Sequence, residues 1–178
     1  MTDYLFDEML NRRANVTRPT VEVDGDGLAR EAQYQGVGSV ALRVRPVRAT
    51  LDAGLLGKWP RATAVAYLAP GTARALDRLA VVLAATALAE AAGEGDTSIT
   101  VEDATGIEAG ATLQISEGAG FCEAVAEAVD GAAVTLRDAL ETGFAAGASA
   151  EVVASYEVLG VEDQGGAGHH VWVGLRSR

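Results

Sequence analysis

The chain has 178 residues, of which 49% are hydrophobic, and its formal net charge at pH 7 is -11. This length and apolar content suffice for one or two domains with buried cores. The single cysteine, Cys122, excludes an intrachain disulfide, and the most apolar stretch, residues 79–89, falls short of the roughly 20 residues that a membrane-spanning helix needs.

The N-terminal region predicts a short helix followed by a hairpin. Apolar residues recur at three- and four-residue spacings between Tyr4 and Leu10, and no long apolar run typical of a secretory signal follows them. Residues 16–23 and 28–34 have the composition of strands and flank a Gly-rich turn, and Pro19 indicates an edge strand.

The sequence shows neither a secretory signal nor an apolar stretch long enough for a membrane-spanning helix. We therefore expect a soluble protein that does not associate with a membrane and is made in the cytoplasm.

The next part of the chain predicts two strands that flank a second short helix. In residues 39–47 the apolar side chains alternate with Arg43 and Arg45, so the two arginines share one face of the strand. Residues 50–57 have leucines at helical spacing, and residues 61–69 alternate again before a Pro-Gly turn.

Residues 76–82 and 155–161 are predicted to pair in one antiparallel hairpin, although more than seventy residues separate them. Both are short and rich in branched or aromatic apolar residues. Hairpin loops normally have two to five residues, so the intervening chain is either a domain of its own or disordered, and its composition favours a domain. In an alternative interpretation, residues 73–92 form one Ala-rich helix, which would abolish the pairing.

The distribution of charge supports an insertion. Residues 83–153 hold thirteen of the 25 acidic residues and a single base, Arg137, whereas the rest of the chain is almost neutral. The sequence therefore predicts a discontinuous body, residues 1–82 and 154–178, and an inserted acidic domain. Such a domain repels DNA and anionic lipid, and it favours solubility or contact with a basic protein surface.

The insertion is predicted to be a small all-β unit punctuated by glycines. Apolar residues alternate with polar ones around Ile99 and Leu113, which indicates short strands. A further two-residue period, ending at Asp130-Gly131, comprises Phe121, Glu123, Val125, Glu127 and Val129. Asp-Gly between alternating runs is a strong hairpin signal.

The sequence holds no arrangement typical of a catalytic or metal site. His169 and His170 are adjacent on a predicted strand and face opposite ways, so they cannot readily chelate one metal. The glycines of residues 164–168 lack the Gly-Lys-Ser/Thr ending of a phosphate loop, and Cys122 is interpreted as a small buried apolar residue. We expect no enzymatic activity, no metal and no cofactor.

Five residues are candidates for contact with a partner. Arg43, Arg45 and Arg48 form a basic cluster that either is a solvated face or meets nucleic acid or an acidic partner. Trp59 and Trp172 are either interface anchors or core residues, because aromatic side chains concentrate binding energy at interfaces but also fill cores.

Several short motifs follow one another in an order that resembles one protein family. With the insertion left out, the motifs are residues 40–46, 61–72, 77–79, 156–161 and 165–173. The succession of a strand, a Pro-Gly-Thr turn, an Asp-Arg-Leu strand and a Tyr-x-Val strand is similar to that of the head-completion proteins, or stoppers, of long-tailed bacteriophages. Residues 95–106 and 113–115 resemble a small β module that recurs in phage virion proteins, whereas stoppers normally have only a short loop there.

The resemblance implies a mainly β fold: a small β-barrel body with a short N-terminal helix and one further short helix, plus the inserted all-β domain. It also implies a structural protein of the phage neck that forms a homo-oligomeric ring, twelve-fold or six-fold. Such a ring would bind the portal or adaptor protein on one side and the tail terminator or tail tube protein on the other, and it would help to close the head. Packaged DNA would lie nearby without sequence-specific contact, with Arg43, Arg45 and Arg48 towards the channel or a partner.

Two other classes of protein remain open at this point. The chain could be a different neck or tail component, such as a tail terminator, which the neighbour to which it cross-links in particles would reveal. It could also be a carbohydrate-binding or hydrolytic accessory protein, which would require glycan binding or turnover by the purified chain.

Overall fold

The protein, seen in a computed structural model that describes residues 10–20, 33–48, 53–118, 120–163 and 171–178, is mainly β. The strands in these ranges form one ten-strand antiparallel sheet, and the only helix in them is α1, Ala53–Lys58. No helix of this part of the chain is long and apolar enough to cross a membrane. The predicted N-terminal helix, the turn of the first hairpin, and His169 and His170 lie outside the described residues.

The order of the strands in the sheet differs from their order in the chain, and the strands at the first and sixth places of the sheet also pair with each other. In chain order the strands are β1 Arg12–Thr20, β2 Gln33–Pro46, β3 Ala64–Leu68, β4 Arg78–Ala87, β5 Ser98–Thr100, β6 Thr112–Glu117, β7 Gly120–Asp130, β8 Ala133–Leu136, β9 Ser149–Asp163 and β10 Val171–Ser177. Their order in the sheet is β10-β3-β2-β1-β4-β9-β6-β7-β8-β5. Because β10 also pairs with β9, the strands from β10 to β9 form a partial ring.

The chain forms two compact units, each with its own hydrophobic core. Unit 1 comprises Met1–Val81 and Ser155–Arg178, and unit 2 comprises Val82–Ala154. The chain leaves unit 1 within β4 and returns to it within β9.

The predicted pairing of the two distant stretches is confirmed. The amide of Val158 donates to the carbonyl oxygen of Asp77 at 2.8 Å, and the amide of Leu76 donates to the carbonyl oxygen of Val158 at 2.8 Å. The alternative of a single helix over residues 73–92 is wrong. Pairing of β4 with β1 on one side and β9 on the other satisfies its backbone, and this tertiary environment outweighs the helix propensity of alanine and leucine.

The first strand is central in unit 1 and not an edge strand, contrary to the prediction from Pro19. β1 pairs with β2 along its length and with β4 between Ala14 and Thr17. Pro19 lies beyond the part paired with β4, where it faces only Tyr34 of β2. The missing amide hydrogen of Pro19 therefore costs no hydrogen bond on the β4 side.

The inner face of unit 1 carries the main core, to which nearly every strand of the partial ring contributes. Leu42 of β2 has no exposed surface, and Val40 and Val44 pack against the same core, which places Arg43 and Arg45 on the outer face as predicted. The buried members of this core are Ala14, Val16, Leu42, Ala64, Ala66, Leu68, Ala73, Leu79, Val81, Val158, Val171, Val173 and Leu175.

Unit 2 is built as a compact all-β structure around its own core. Leu113 and Ile115 of β6 are fully buried, as their alternation predicts. In β7 Cys122, Ala124 and Ala126 face the core, so the prediction that Cys122 is a buried apolar residue is confirmed. The other face carries glutamates, whose burial without partners would be costly.

Candidate functional site

The two tryptophans lie in a second, smaller apolar cluster on the outer face of unit 1. Both side chains are half-buried, and both pack against this cluster. The cluster comprises Val47, Trp59, Ala62, Val65, Tyr67, Leu159 and Trp172. It is formed because β3 is buried on both faces: Ala64, Ala66 and Leu68 point to the main core, and Val65 and Tyr67 point outward.

Trp59 packs directly on two glycines of neighbouring strands. Gly160 of β9 and Gly174 of β10 are register partners. A Cβ atom on Gly160 would lie 2.5 Å from Nε1 of Trp59, and one on Gly174 would lie 2.4 Å from Cε3 of the same ring. Real Cβ atoms do not approach other atoms that closely, so only glycine at both positions leaves room for the indole.

Arg45, Tyr67 and Trp172 form a connected group on the outer face. The guanidinium of Arg45 donates from Nε and Nη2 to the hydroxyl of Tyr67 at 3.3 and 3.1 Å. The Tyr67 ring meets the Trp172 ring edge to face, with centroids 5.4 Å apart and an interplanar angle of 73°. These contacts fix the orientation of all three side chains and leave an arginine beside aromatic surface, a composition typical of protein interfaces.

Positive charge is concentrated around this aromatic group. Arg43 is exposed and is the register partner of Tyr67, whereas Arg48 is exposed two residues after the end of β2. Arg61 is also exposed, and Lys58 at the end of α1 forms an ion pair with Glu162. Residues 33–76 contain six basic residues and one acidic residue. We use the term basic face for Arg43, Arg45, Lys58 and Arg61 with Tyr67 and Trp172.

The aspartate of the Asp-Arg-Leu motif is a buried carboxylate that fixes the start of β4. Asp77 is 1% exposed and accepts two hydrogen bonds of 2.9 Å from Arg18, one from Nε and one from Nη2. The backbone amide of Arg74 donates a third at 3.0 Å. The hydrogen bond to Asp77 raises the pKa of Arg18 above its ordinary value, so the guanidinium stays charged.

The residues of the Asp-Arg-Leu motif therefore have three different structural roles. Asp77 closes the turn before β4, and Leu79 is completely buried in the main core. The guanidinium of Arg78 lies 3.3 Å from the centroid of the Tyr34 ring, a cation–π contact between β4 and β2. An aspartate at the start of an apolar strand was the only sequence signal for this arrangement.

The described residues show no arrangement suited to metal or nucleophilic chemistry. They contain no group of three or more His, Cys, Asp or Glu side chains that could hold a metal ion. Cys122 is 6% exposed and packs in the core of unit 2. An open cavity of about 230 Å³ in unit 1 is lined by Val44, Arg45, Pro46, Thr63, Ala64, Tyr156 and Ser177, a set without a carboxylate or histidine.

The residues of the basic face are arranged in a way that suits binding to another molecule. The basic face combines exposed cations with ordered aromatic side chains, which suits contact with an acidic partner. No protein-family model matches the chain, and no curated protein is significantly similar to it.

Proposed function

We propose that this chain is a structural protein of the neck of a tailed bacteriophage, a stopper-like component of a ring between the portal or adaptor and the tail. Its function is mechanical and not enzymatic: it binds the portal or adaptor and the tail, helps to close the head and retains packaged DNA. In this proposal it acts in the virion, after synthesis in the cytoplasm of the bacterial host.

One observation carries the proposal: the described residues of the motifs that resemble stoppers fall on the elements of the partial ring, whereas residues 165–170 of the last motif lie outside the described residues. Residues 40–46 are the second half of β2, and residues 61–72 contain β3 and the turn after it. Residues 77–79 open β4, and residues 156–161 lie in β9. The motifs are thus parts of one folded body, although residues 83–153 interrupt them in sequence.

Two properties of the body support a mechanical function. The pairing of β9 with β10 covers one edge of each of these strands in the described part of unit 1, which lowers the tendency to pair with other chains. The Asp77–Arg18 ion pair and the packing of Trp59 on two glycines join parts of the body that are far apart in sequence. Such contacts suit a subunit that transmits force between a head and a tail.

The charge of unit 2 supports a position away from the DNA. This unit holds thirteen acidic residues and one base, and such a density repels a phosphate backbone. We therefore propose that unit 1, and not unit 2, lies next to the DNA channel.

Disruption of the gene in the phage or prophage that encodes the chain tests the proposed function. We expect electron micrographs of the lysate to show separate heads and tails, with DNA lost from the heads, and we expect a plasmid copy of the gene to restore joined particles. Intact, infectious particles without the protein would contradict the proposal.

The same experiment separates the two other classes. A tail terminator would give tails of abnormal length beside closed, filled heads. A carbohydrate-binding accessory protein would give complete particles that adsorb poorly to cells. Either outcome would overturn the assignment to head closure.

A further inference from the structure

We propose that the basic face of one copy binds the acidic unit 2 of a neighbouring copy, and that this contact joins successive subunits of the ring. Only the assembly of the subunits into a ring rests on the proposed function, because the contact itself requires no more than two copies of the chain.

The basic face has the properties of a preformed protein-binding surface. Arg45 is held by the Tyr67 hydroxyl, and Tyr67 is held against Trp172, so these side chains lose little freedom when a partner binds. Arg43 is the register partner of Tyr67, and Arg61 precedes Ala62 of the same apolar cluster; both arginines are exposed and can meet carboxylates. Ordered aromatic residues with arginines are the composition found at the energetic centres of protein interfaces.

The partner must be acidic, and each copy carries an acidic surface of its own. Unit 2 has thirteen acidic residues against one base, whereas the basic face has four cations and is neighboured by Glu162, which pairs with Lys58. Side-by-side packing of like surfaces would bring strongly negative units together, which is unfavourable. A contact of unlike surfaces is heterologous, and repetition of a heterologous contact closes a ring when the rotation permits.

The arrangement of the basic face favours a protein partner over DNA. Two of its charges are already engaged, since Arg45 donates to Tyr67 and Lys58 pairs with Glu162. Its centre is half-buried aromatic surface, whereas non-specific binding to a phosphate backbone requires cations spread along the duplex.

A single lysine makes the contact directly measurable. Lys58 is the only lysine in the chain, and it lies on the basic face. We would mix equal amounts of ¹⁴N- and ¹⁵N-labelled full-length protein in high salt and return the mixture to low salt. A zero-length carbodiimide reagent would then join Lys58 to nearby carboxylates, with mass spectrometry as the readout.

We expect mixed-isotope peptides that join Lys58 to carboxylates between residues 82 and 154. A same-isotope link between Lys58 and Glu162 of one chain serves as the internal positive control, because these two residues form an ion pair. Mixed-isotope links only to carboxylates of unit 1, or none at protein concentrations up to about 0.5 mM, would overturn the proposal.

Charge reversal supplies the independent test. The double variant Arg43→Glu/Arg61→Glu should weaken self-association in sedimentation at least about tenfold, because it places negative charge opposite unit 2. The matched control Arg12→Glu/Arg74→Glu changes the net charge equally at exposed positions of unit 1 outside the basic face and should not weaken it. Equal weakening by both variants would show a net-charge effect and overturn the proposal.

Duplex DNA provides the last comparison. Competition by a short duplex for the wild-type Lys58 cross-links would assign the basic face to nucleic acid and overturn the inference. The two proposals fail separately: absence of mixed-isotope cross-links removes this contact, whereas intact particles after gene disruption remove the neck function.

Discussion

At the scale of single residues, the outer face of unit 1 depends on two positions that have no side chain. Gly160 and Gly174 are partners across β9 and β10, and the Trp59 ring lies on both. Glycine inside a strand normally weakens it, so its presence at two register partners indicates close approach of another group. The indole of Trp59 is that group.

The substitution Gly174→Ala should destabilise the protein by about 1–3 kcal/mol, because the new methyl group would overlap the Trp59 ring. Urea denaturation followed by tryptophan fluorescence measures the loss. In the background of Trp59→Ala the same substitution should cost much less, since the ring is gone. Gly54→Ala, at a helical position with open space around its Cβ, is the matched control and should be neutral or slightly stabilising.

The buried Asp77 carboxylate explains an unusual backbone conformation next to it. Leu76 has a φ of 72° and is the only non-glycine residue with a positive φ in the described part of the chain. A leucine in that region is strained, and the surrounding structure must hold it there. The bonds from Arg18 and from the amide of Arg74 to Asp77 hold the turn in place.

We expect Asp77→Asn to lower the free energy of unfolding by about 2–4 kcal/mol. The amide keeps the size of the carboxylate but leaves the Arg18 guanidinium without its counter-charge, and breaking a largely buried ion pair is costly. Asp138→Asn changes an exposed residue and should stay within about 0.5 kcal/mol of the wild type. Equal stabilities of the two variants in chemical denaturation would show that the pair contributes nothing.

At the scale of elements, the hairpin of β7 and β8 shows how one position sets a turn. Asp130 and Ala133 are register partners, so Gly131 and Ala132 are the two central residues of the turn. A turn with Asp-Gly at its centre would instead have Asp130 and Gly131 there, one residue earlier. Gly131 has a φ of 59°, the positive value that type II′ turns require at the first central residue. A bulge between Ala126 and Ala128 then brings Val129 against the core.

The turn predicts a graded effect of substitution at Gly131. Alanine should destabilise the protein by about 1 kcal/mol, because its Cβ is disfavoured at this φ. Asparagine should cost less, since it tolerates the left-handed region better than other residues with a side chain. Thermal unfolding followed by circular dichroism gives the order. A loss equal for both would point to a cause other than backbone conformation, since neither Cβ would meet another atom.

At the scale of the whole molecule, two separate cores make the chain a protein of two units. The core of unit 2 contains Leu88, Leu113, Phe144 and Val152, and none of its members belongs to unit 1. Both tryptophans of the chain belong to unit 1. Tryptophan fluorescence therefore reports on unit 1 alone, whereas circular dichroism reports on all the strands.

The substitution Leu113→Ala should lower the stability of unit 2 by about 2–5 kcal/mol, because it leaves a cavity at a fully buried site. We expect the circular dichroism transition to shift or split while the fluorescence midpoint stays within error. Leu42→Ala is the matched control in unit 1 and should move the fluorescence midpoint. A fluorescence shift as large for Leu113→Ala would show that the two units unfold as one.

The sequence by itself determined the local features of this protein. Alternation identified β2, β3 and β6, the Asp-Gly pair located the hairpin of β7 and β8, and two distant apolar runs were recognised as partners. The strands and the hairpin depend on neighbours in sequence and on simple periodicity, which do not require the rest of the chain. The pairing of the two distant runs was predicted instead from their shared strand composition and from the length of chain between them.

Only the tertiary structure decided which faces are covered and which residues join. The central position of β1, the burial of Asp77 against Arg18 and the packing of Trp59 on two glycines all depend on partners far away in sequence. The described strands of unit 1 form a partial ring, because β10 pairs with β9 as well as with β3. Burial and register are properties of both partners, and one strand's pattern specifies only half of each contact.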